Sequence, residues 1–246
     1  IGVKTLAEAR AVDYRTLMAK QIKYEKFWNA TIDGKYVVED TSKSITAGHQ
    51  HKIPVMTGST TNESLYGPKD NDILTWAKAS IPDIAEEYCK LAREKATKEG
   101  ISLKQAATVN YFELAAGLIC DLLAGQGKQT VYGYRFGPEI PGDDAGAFHS
   151  SDLWFEFETL AKCWRPFKGK HYDLARQMCN YWTNFARNGD PNGTDADGIP
   201  MPEWKPYTPK SPRMMEFLDT AGMEKEQPAI KKLLLEYNKK LLKQGV

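Results

Sequence analysis

Two short apolar runs, KIPVMTGST at 52–60 and TVYGYRF at 130–136, constrain the fold more than any other feature of the chain. In the first, Ile53, Val55 and Met56 form a continuous run that does not alternate with polar residues, and it ends in Gly58 and small polar residues. That pattern is expected of a strand buried on both faces. The second run is rich in β-branched and aromatic residues and is the best strand signal in the chain. Both read as central members of a parallel sheet. Strands alternating with long helices favour an α/β fold over an all-α one, with a high helix content.

The helical segments carry their own punctuation. PDIAEEYCKLAREKATKEG (82–100) has Pro82 near its start and Gly100 at its end. Ser102 with Gln105 resembles a capping box for the next helix, which runs through NYFELAAGLICDLLAG. That helix is apolar nearly all round from Phe112 to Leu123 and should be deeply buried. WFEFETLA and KHYDLARQMCNYWTNFAR also read as helices, the second ending in Asn188-Gly189, a natural left-handed cap. RMMEFLD (213–219) is expected to form a last strand, and KYVVED (35–40) an isolated extended piece. AIKKLLLEYNKKLLKQ (229–244) is amphipathic, with Ile230, Leu233, Leu234, Tyr237, Leu241 and Leu242 near one face. Its lysines fit a solvated face of a docked helix, with a membrane-surface helix as the alternative. The first residues read as a helix with Leu6, Ala9, Val12 and Leu17 in a stripe. With no repeats and no low-complexity linker, 1–246 reads as one unit.

Composition narrows the function. Apolar residues are 41%, charged residues 26% and the net charge is +1, the profile of a soluble globular protein, cytoplasmic or secreted. There is no basic excess for nucleic acid and no run long enough for a membrane span, so the expected partner is a small molecule or another protein. No signal peptide is evident, which says nothing about export if the chain begins inside a longer protein. Cys89, Cys120, Cys163 and Cys179 fit no zinc spacing and read as buried free thiols, with one or two disulfides open as an alternative in an exported protein. His49 and His51 lie in a polar loop and read as solvated, His171 as a surface or helix-end residue; neither a metal nor a cofactor is expected. Asn29, Asn62 and Asn192 open Asn-x-Ser/Thr triplets. A glycan on Asn62 would block Glu63, so at least that match reads as chance.

Nowhere does a serine have glycines two places before and two places after it, as a strained strand-to-helix nucleophile elbow requires. Two other residues stand where the partners of such a serine would. Glu63 directly follows the first strand, in TTNESLYG, and His149 lies in the loop after the second. Acid and base on loops at the carboxyl ends of successive strands is the α/β-hydrolase order. By position alone, a solvated loop glutamate and an exposed or structural loop histidine are the more usual readings.

Three motifs in order bear on that choice. KIPVMTGSTTNES resembles the segment of type-B carboxylesterases, the cholinesterase-like and para-nitrobenzyl-esterase-like family, in which a buried strand leads to the triad glutamate. The familiar ending is Asp-Glu-Gly; here it is Asn62-Glu63-Ser64. VYGYRF followed by GAFHSSDLWFEF resembles the family's strand, loop and catalytic histidine, with Asp152 three places beyond. YWTNFARNGDPNG and then Pro202-Glu203-Trp204 is similar to its late helix, turn and tryptophan. The resemblance implies the C-terminal half of an α/β-hydrolase fold across 1–246, a mostly parallel sheet flanked by helices. It implies Glu63 and His149 as acid and base of a serine esterase acting on small-molecule esters. Tyr66 and Phe148, which flank the pair, would line an acyl or alcohol pocket, or else be core. The nucleophile and oxyanion hole would belong to an N-terminal half as partner, and without it this chain is expected to self-associate and be inactive. The alternative is a cholinesterase-like binding module without catalysis.

Overall fold

The computed structural model describes residues 1–24 and 30–244; Asn29 lies outside them. Where the sequence reads as one unit, the chain divides into two compact ones, Ile1–Lys43 and Ser44–Val246.

In the first unit the expected helix is two. α1 (Leu6–Ala11) is capped by Thr5, whose hydroxyl accepts from Glu8 N, and it ends where Val12 turns extended. α2 (Tyr14–Tyr24) restarts after Asp13, whose carboxylate accepts from Arg15 N at 3.0 Å. The apolar stripe is not buried: Leu6 is 66% exposed and Leu17 38%. Residues 35–40 form no strand. Asp33 Oδ1 instead accepts from the backbone N–H of Lys35, Tyr36 and Val37 at 2.8–3.0 Å, which curls the chain and holds the Asp33 carboxyl below its usual range. This local capture by an Asp side chain outcompetes extension. α3 (Thr41–Ala47) begins in this unit and continues past its end at Lys43 into the second.

The second unit is built on β1 (Val55–Thr60), followed by β2 (Leu65–Tyr66), α4 (Ile73–Ser80), α5 (Ala85–Glu99), α6 (Leu103–Ala107), β3 (Val109–Asn110), α7 (Tyr111–Gln126) and β4 (Val131–Phe136). Then come α8 (Leu153–Glu156), α9 (Gly169–Asn188), β5 (Met215–Phe217), β6 (Ala221–Met223) and α10 (Ala229–Gln244). The main sheet has the order β1-β4-β5-β6, parallel except for the β5–β6 pair. β2 and β3 form a separate antiparallel ribbon. β4 is central, as its sequence requires, whereas β1 is an edge strand among the described residues.

Side chains of β4 alternate between two cores. Tyr132 and Phe136 join Phe155, Met178, Tyr181, Trp204 and Phe217 on the α8–α9 side, with Tyr134 packed against them; Val131 joins Cys120 and Leu123 of α7 on the other. Aromatic rings meet edge to face around the fully buried Trp204, an arrangement rings favour beyond simple area burial. Asn192, in the turn after α9, grips Trp204 with both ends of its amide: Oδ1 accepts from Trp204 N at 2.7 Å and Nδ2 donates to Trp204 O at 2.9 Å. β1 approaches β4 so closely that a Cβ on Gly58 would lie 2.3 Å from Tyr134 O. Only glycine fits there.

Several local expectations change. α7 is buried through Ala116, Gly117, Cys120 and Leu123, but its first turn is not: Tyr111 is 60% exposed and Phe112 42%. The helix predicted over WFEFETLA shortens to α8, because the chain turns left-handed at Glu158 (φ 51°). The strand predicted at 213–219 is only Met215–Phe217, and its antiparallel neighbour β6 carries no clear sequence signal. Lys231, expected on the solvated face of α10, is buried at 6%. Its Nζ donates to Glu113 Oε1 at 2.9 Å, while Arg135 Nε lies 3.4 Å from Glu113 Oε2 and Nη1 donates to Glu216 at 3.0 Å. Burial works to raise the Glu113 pKa, but the two cations outweigh it and the net shift is downward. His171 is also buried, not exposed: Nδ1 accepts from Lys168 N at 2.9 Å and Nε2 lies 3.1 Å from Glu139 O. The four cysteines are free; Cys89 and Cys120 are buried, whereas Cys163 and Cys179 are only half-buried. The capping box at Ser102–Gln105 and the left-handed cap at Gly189 form as the sequence predicts. No described helix is long and apolar enough to cross a membrane.

Candidate active site

Beyond β1 the ladder runs one residue further, Thr61 N donating to Phe136 O at 2.8 Å, and then the chain folds back on itself. The turn brings the Glu63 carboxylate under the strand end, where Oε1 accepts from Thr60 N at 3.0 Å. The glutamate side chain is 8% exposed. Asn110, the N-cap of α7, donates from Nδ2 to Thr60 O and fixes the same corner from the helix side. Asn62 ties this turn to the histidine loop: its N–H donates to Ala147 O at 3.0 Å and its Oδ1 accepts from Ala147 N at 3.2 Å.

His149 is thereby delivered to Glu63, and its Nδ1 hydrogen-bonds Glu63 Oε2. The two residues are 86 apart in sequence. The ring's other nitrogen, Nε2, is not engaged by Glu63. The imidazole is 75% exposed and lies near-parallel to the Phe112 ring, centroids 6.2 Å apart. Ser64 and Ser150, each directly after a member of the pair, have φ of 42° and 69°. Backbone held in the left-handed region by residues other than glycine is strained, and such strain collects at functional sites.

A cleft of about 350 Å³ opens beside the pair. One wall is the β1 edge at Thr57–Ser59, another the α7 face at Phe112, Ala116 and Ile119, and the third the loop from His149 to Leu153. The wall is largely apolar, but the Ser59 hydroxyl is buried in it with no hydrogen-bond partner among the described residues; the Thr60 hydroxyl is likewise buried and unpartnered but does not line the cleft. Behind the loop, the Tyr134 hydroxyl lies 3.3 Å from Asp152 Oδ2 and 3.5 Å from Glu156 Oε1. Burial, together with the neighbouring Glu63, raises the Asp152 pKa; burial and the Asp152 charge raise that of Glu156 to about 7.

Of the residues singled out in the sequence, Glu63 and His149 meet, but Tyr66 and Phe148 are not among those lining the cleft. Tyr66 is half-exposed on β2 with its ring edge-on to Trp76. Phe148 turns away, against Trp154 and under the Arg165 guanidinium. Phe112 takes the wall position instead. Ala115 and Ala116 line the cleft beside it, while Gly117 packs against Leu235 of α10. No described cluster of His, Cys, Asp or Glu could hold a metal ion, and His49 and His51 belong to none.

Residues 68–232 match the carboxylesterase family; His149 lies inside that span and Glu63 just before it. The chain is 37% identical to acetylcholinesterase of Gallus gallus over 105 residues, which is 39% of this chain and 13% of that protein. It is 26% identical to carboxylesterase 1C of Rattus norvegicus over 176 residues, 64% of this chain and 30% of that one. Among solved structures, a PNB esterase superposes with a TM-score of 0.63 at 19% identity, over 94% of this chain and 50% of the other. A carboxylesterase of Geobacillus stearothermophilus gives 0.62, also at 19% identity, over 94% and 51%. At that identity the likeness is one of fold, the α/β-hydrolase fold. This chain spans about half the length of these solved structures and under a third of the length of the two relatives.

Proposed function

Since the chain belongs to the carboxylesterase family, we propose that it supplies the acid, Glu63, and the base, His149, of a serine carboxylesterase whose nucleophile and oxyanion donors lie outside these 246 residues. The observation that carries this reading is the Glu63–His149 hydrogen bond at the carboxyl end of β1, beside an apolar cleft. In the proposed reaction Nε2 of His149 takes the proton of a serine hydroxyl as the oxygen attacks the ester carbonyl. Glu63 keeps the imidazole in the useful tautomer and stabilises the imidazolium that forms. Collapse of the tetrahedral intermediate expels the alcohol, which takes the proton back from Nε2. Water, deprotonated by the same nitrogen, then hydrolyses the acyl-enzyme. Phe112, Ala116 and Ile119 offer an apolar wall to the substrate.

The test is hydrolysis of a simple aryl ester by this chain alone and by the chain complemented with an N-terminal esterase half bearing a Gly-x-Ser-x-Gly elbow. The chain alone is expected to stay at background, and the complemented protein to turn over. There, His149→Ala is expected to lower kcat by about a millionfold and Glu63→Ala by about 10⁴-fold. Serine-reagent-sensitive turnover by the chain alone would refute the reading. A complemented protein that binds esters without hydrolysing them would identify a non-catalytic binding module instead.

A further inference from the structure

Residues 137–152, between β4 and α8, carry His149 yet contain neither helix nor strand. Gly142, Gly146 and Ser150 have positive φ within it. A loop of this kind holds a catalytic ring in place only if side chains from outside fasten it. One fastening is the Asn62–Ala147 pair of bonds described above. His171 Nε2 meets Glu139 O at 3.1 Å near the loop's start, and a further set of contacts converges on one side chain from the segment after α8.

Arg165 Nη1 donates to Pro141 O at 2.9 Å and to Asp143 Oδ1 at 2.9 Å, and Nη2 donates to Asp143 Oδ2 at 2.6 Å. The same guanidinium lies 5.0 Å from the centroid of the Phe148 ring, with Trp164 and Trp154 at 4.8 and 5.9 Å. Its side chain is 6% exposed. Thus one buried cation holds the loop at 141, at 143 and at 148, the residue before His149. None of these partners is in the sheet. An arginine is needed: a forked, planar cation pairs with a carboxylate through two bonds while its face lies on a ring, and a lysine ammonium does neither.

We propose that Arg165, gripped by Asp143 and stacked on Phe148, is a positioning residue that fixes the loop so that His149 meets Glu63; this rests on the acid–base reading of that pair. It touches no reacting atom. Its contribution is the fixed geometry that proton transfer requires, where an error of about 1 Å costs about a hundredfold in rate.

The experiment is nuclear magnetic resonance on the full chain with labelled histidine, reading two quantities: the ring tautomer of His149 and the backbone order parameters of 141–149. Wild type is expected to show mainly the Nδ1–H tautomer and order parameters near about 0.85. Arg165→Lys, Arg165→Gln and Asp143→Asn are expected to keep the sheet's resonances, drop the loop below about 0.6 and lose the tautomer preference. If Arg165→Gln does not fold, Asp143→Asn carries the test, since Asp143 is half-exposed and one oxygen still accepts. Lysine matters most: a role in charge balance alone is rescued by it, a positioning role is not. Arg165→Lys or Asp143→Asn with loop order and tautomer unchanged would overturn the proposal. Glu63→Gln separates the two ideas. If it abolishes the tautomer preference and leaves the loop ordered, the pair and the clamp both stand. If it leaves the tautomer alone while the Arg165 variants disorder the loop, the clamp stands and the acid–base reading fails.

Discussion

Glu156 carries a charge its surroundings resist. Burial and the adjacent Asp152 raise its pKa from 4.5 to about 7 in the folded protein. Between those two values the folded state therefore holds a proton the unfolded state has released, and stability falls as pH rises from about 4.5 to about 7, then levels off. Glu156→Gln removes the titration and keeps a similar shape. The variant is expected to match wild type near pH 4.5 and to exceed it at pH 8. The margin is on the order of 1 kcal/mol once solvent screening of this half-buried group is allowed for, or about 2–4 °C in Tm for a chain of this size. Thermal melts across that range check it; equal margins at both pH values would show that Glu156 ionises freely. Nothing in the sequence announces this group, because its shift comes first from burial, which the local sequence does not fix; Asp152, four residues before it, adds to the shift and the Tyr134 hydroxyl opposes it. Glu63 and His149 were legible for the opposite reason: each follows an apolar run that reads as a strand, and strand ends are where such residues gather. Tyr66 and Phe148 do not line the cleft, and Phe148 packs against the core instead, because adjacency in sequence does not fix the side to which a residue turns.

At the scale of elements, α7, α10, β4 and β5 are joined by the ionic set of Glu113, Lys231, Arg135 and Glu216. Glu113 has 15% of its side chain exposed and Lys231 only 6%. Removing one member strands its partner's charge in a poor solvent. Lys231→Ala is expected to cost about 3 kcal/mol, and the double variant Lys231→Met with Glu113→Gln considerably less. Urea denaturation of both, with equal slopes, measures the difference; similar losses in the two would mean the pair contributes as packing only. Helix positions were legible from period and caps, as at Ser102 and Gly189. The buried lysine was not, because period alone marks a lysine as outward-facing. Nor was the break between α1 and α2, which Asp13 imposes locally against an apolar stripe that continues across it.

For the whole molecule, the sheet ends at β1, whose outer edge has no strand partner among the described residues. Beside that edge lie the cleft wall and the unpartnered hydroxyls of Ser59 and Thr60. Open strand edges beside apolar surface invite another chain. The isolated chain is therefore expected to sediment as a dimer or larger, and to do so as a defined complex when an N-terminal esterase half is supplied. A compact, soluble monomer at micromolar concentration would show that the edge is protected in some other way. The sheet itself was legible as mostly parallel and α/β, and the edge of β1 stands open as expected of a strand that would be central only in a larger sheet; sequence reports that both faces of a strand are apolar, not whether both of its edges are paired. The Glu63–His149 contact has two halves of unequal reach. Thr60 holds the glutamate across three residues, whereas the histidine returns across 86. The short closure costs little chain entropy and survives fraying; the long one depends on the loop staying docked. Warming should thus part the histidine from a glutamate that stays in place, some degrees before the protein melts.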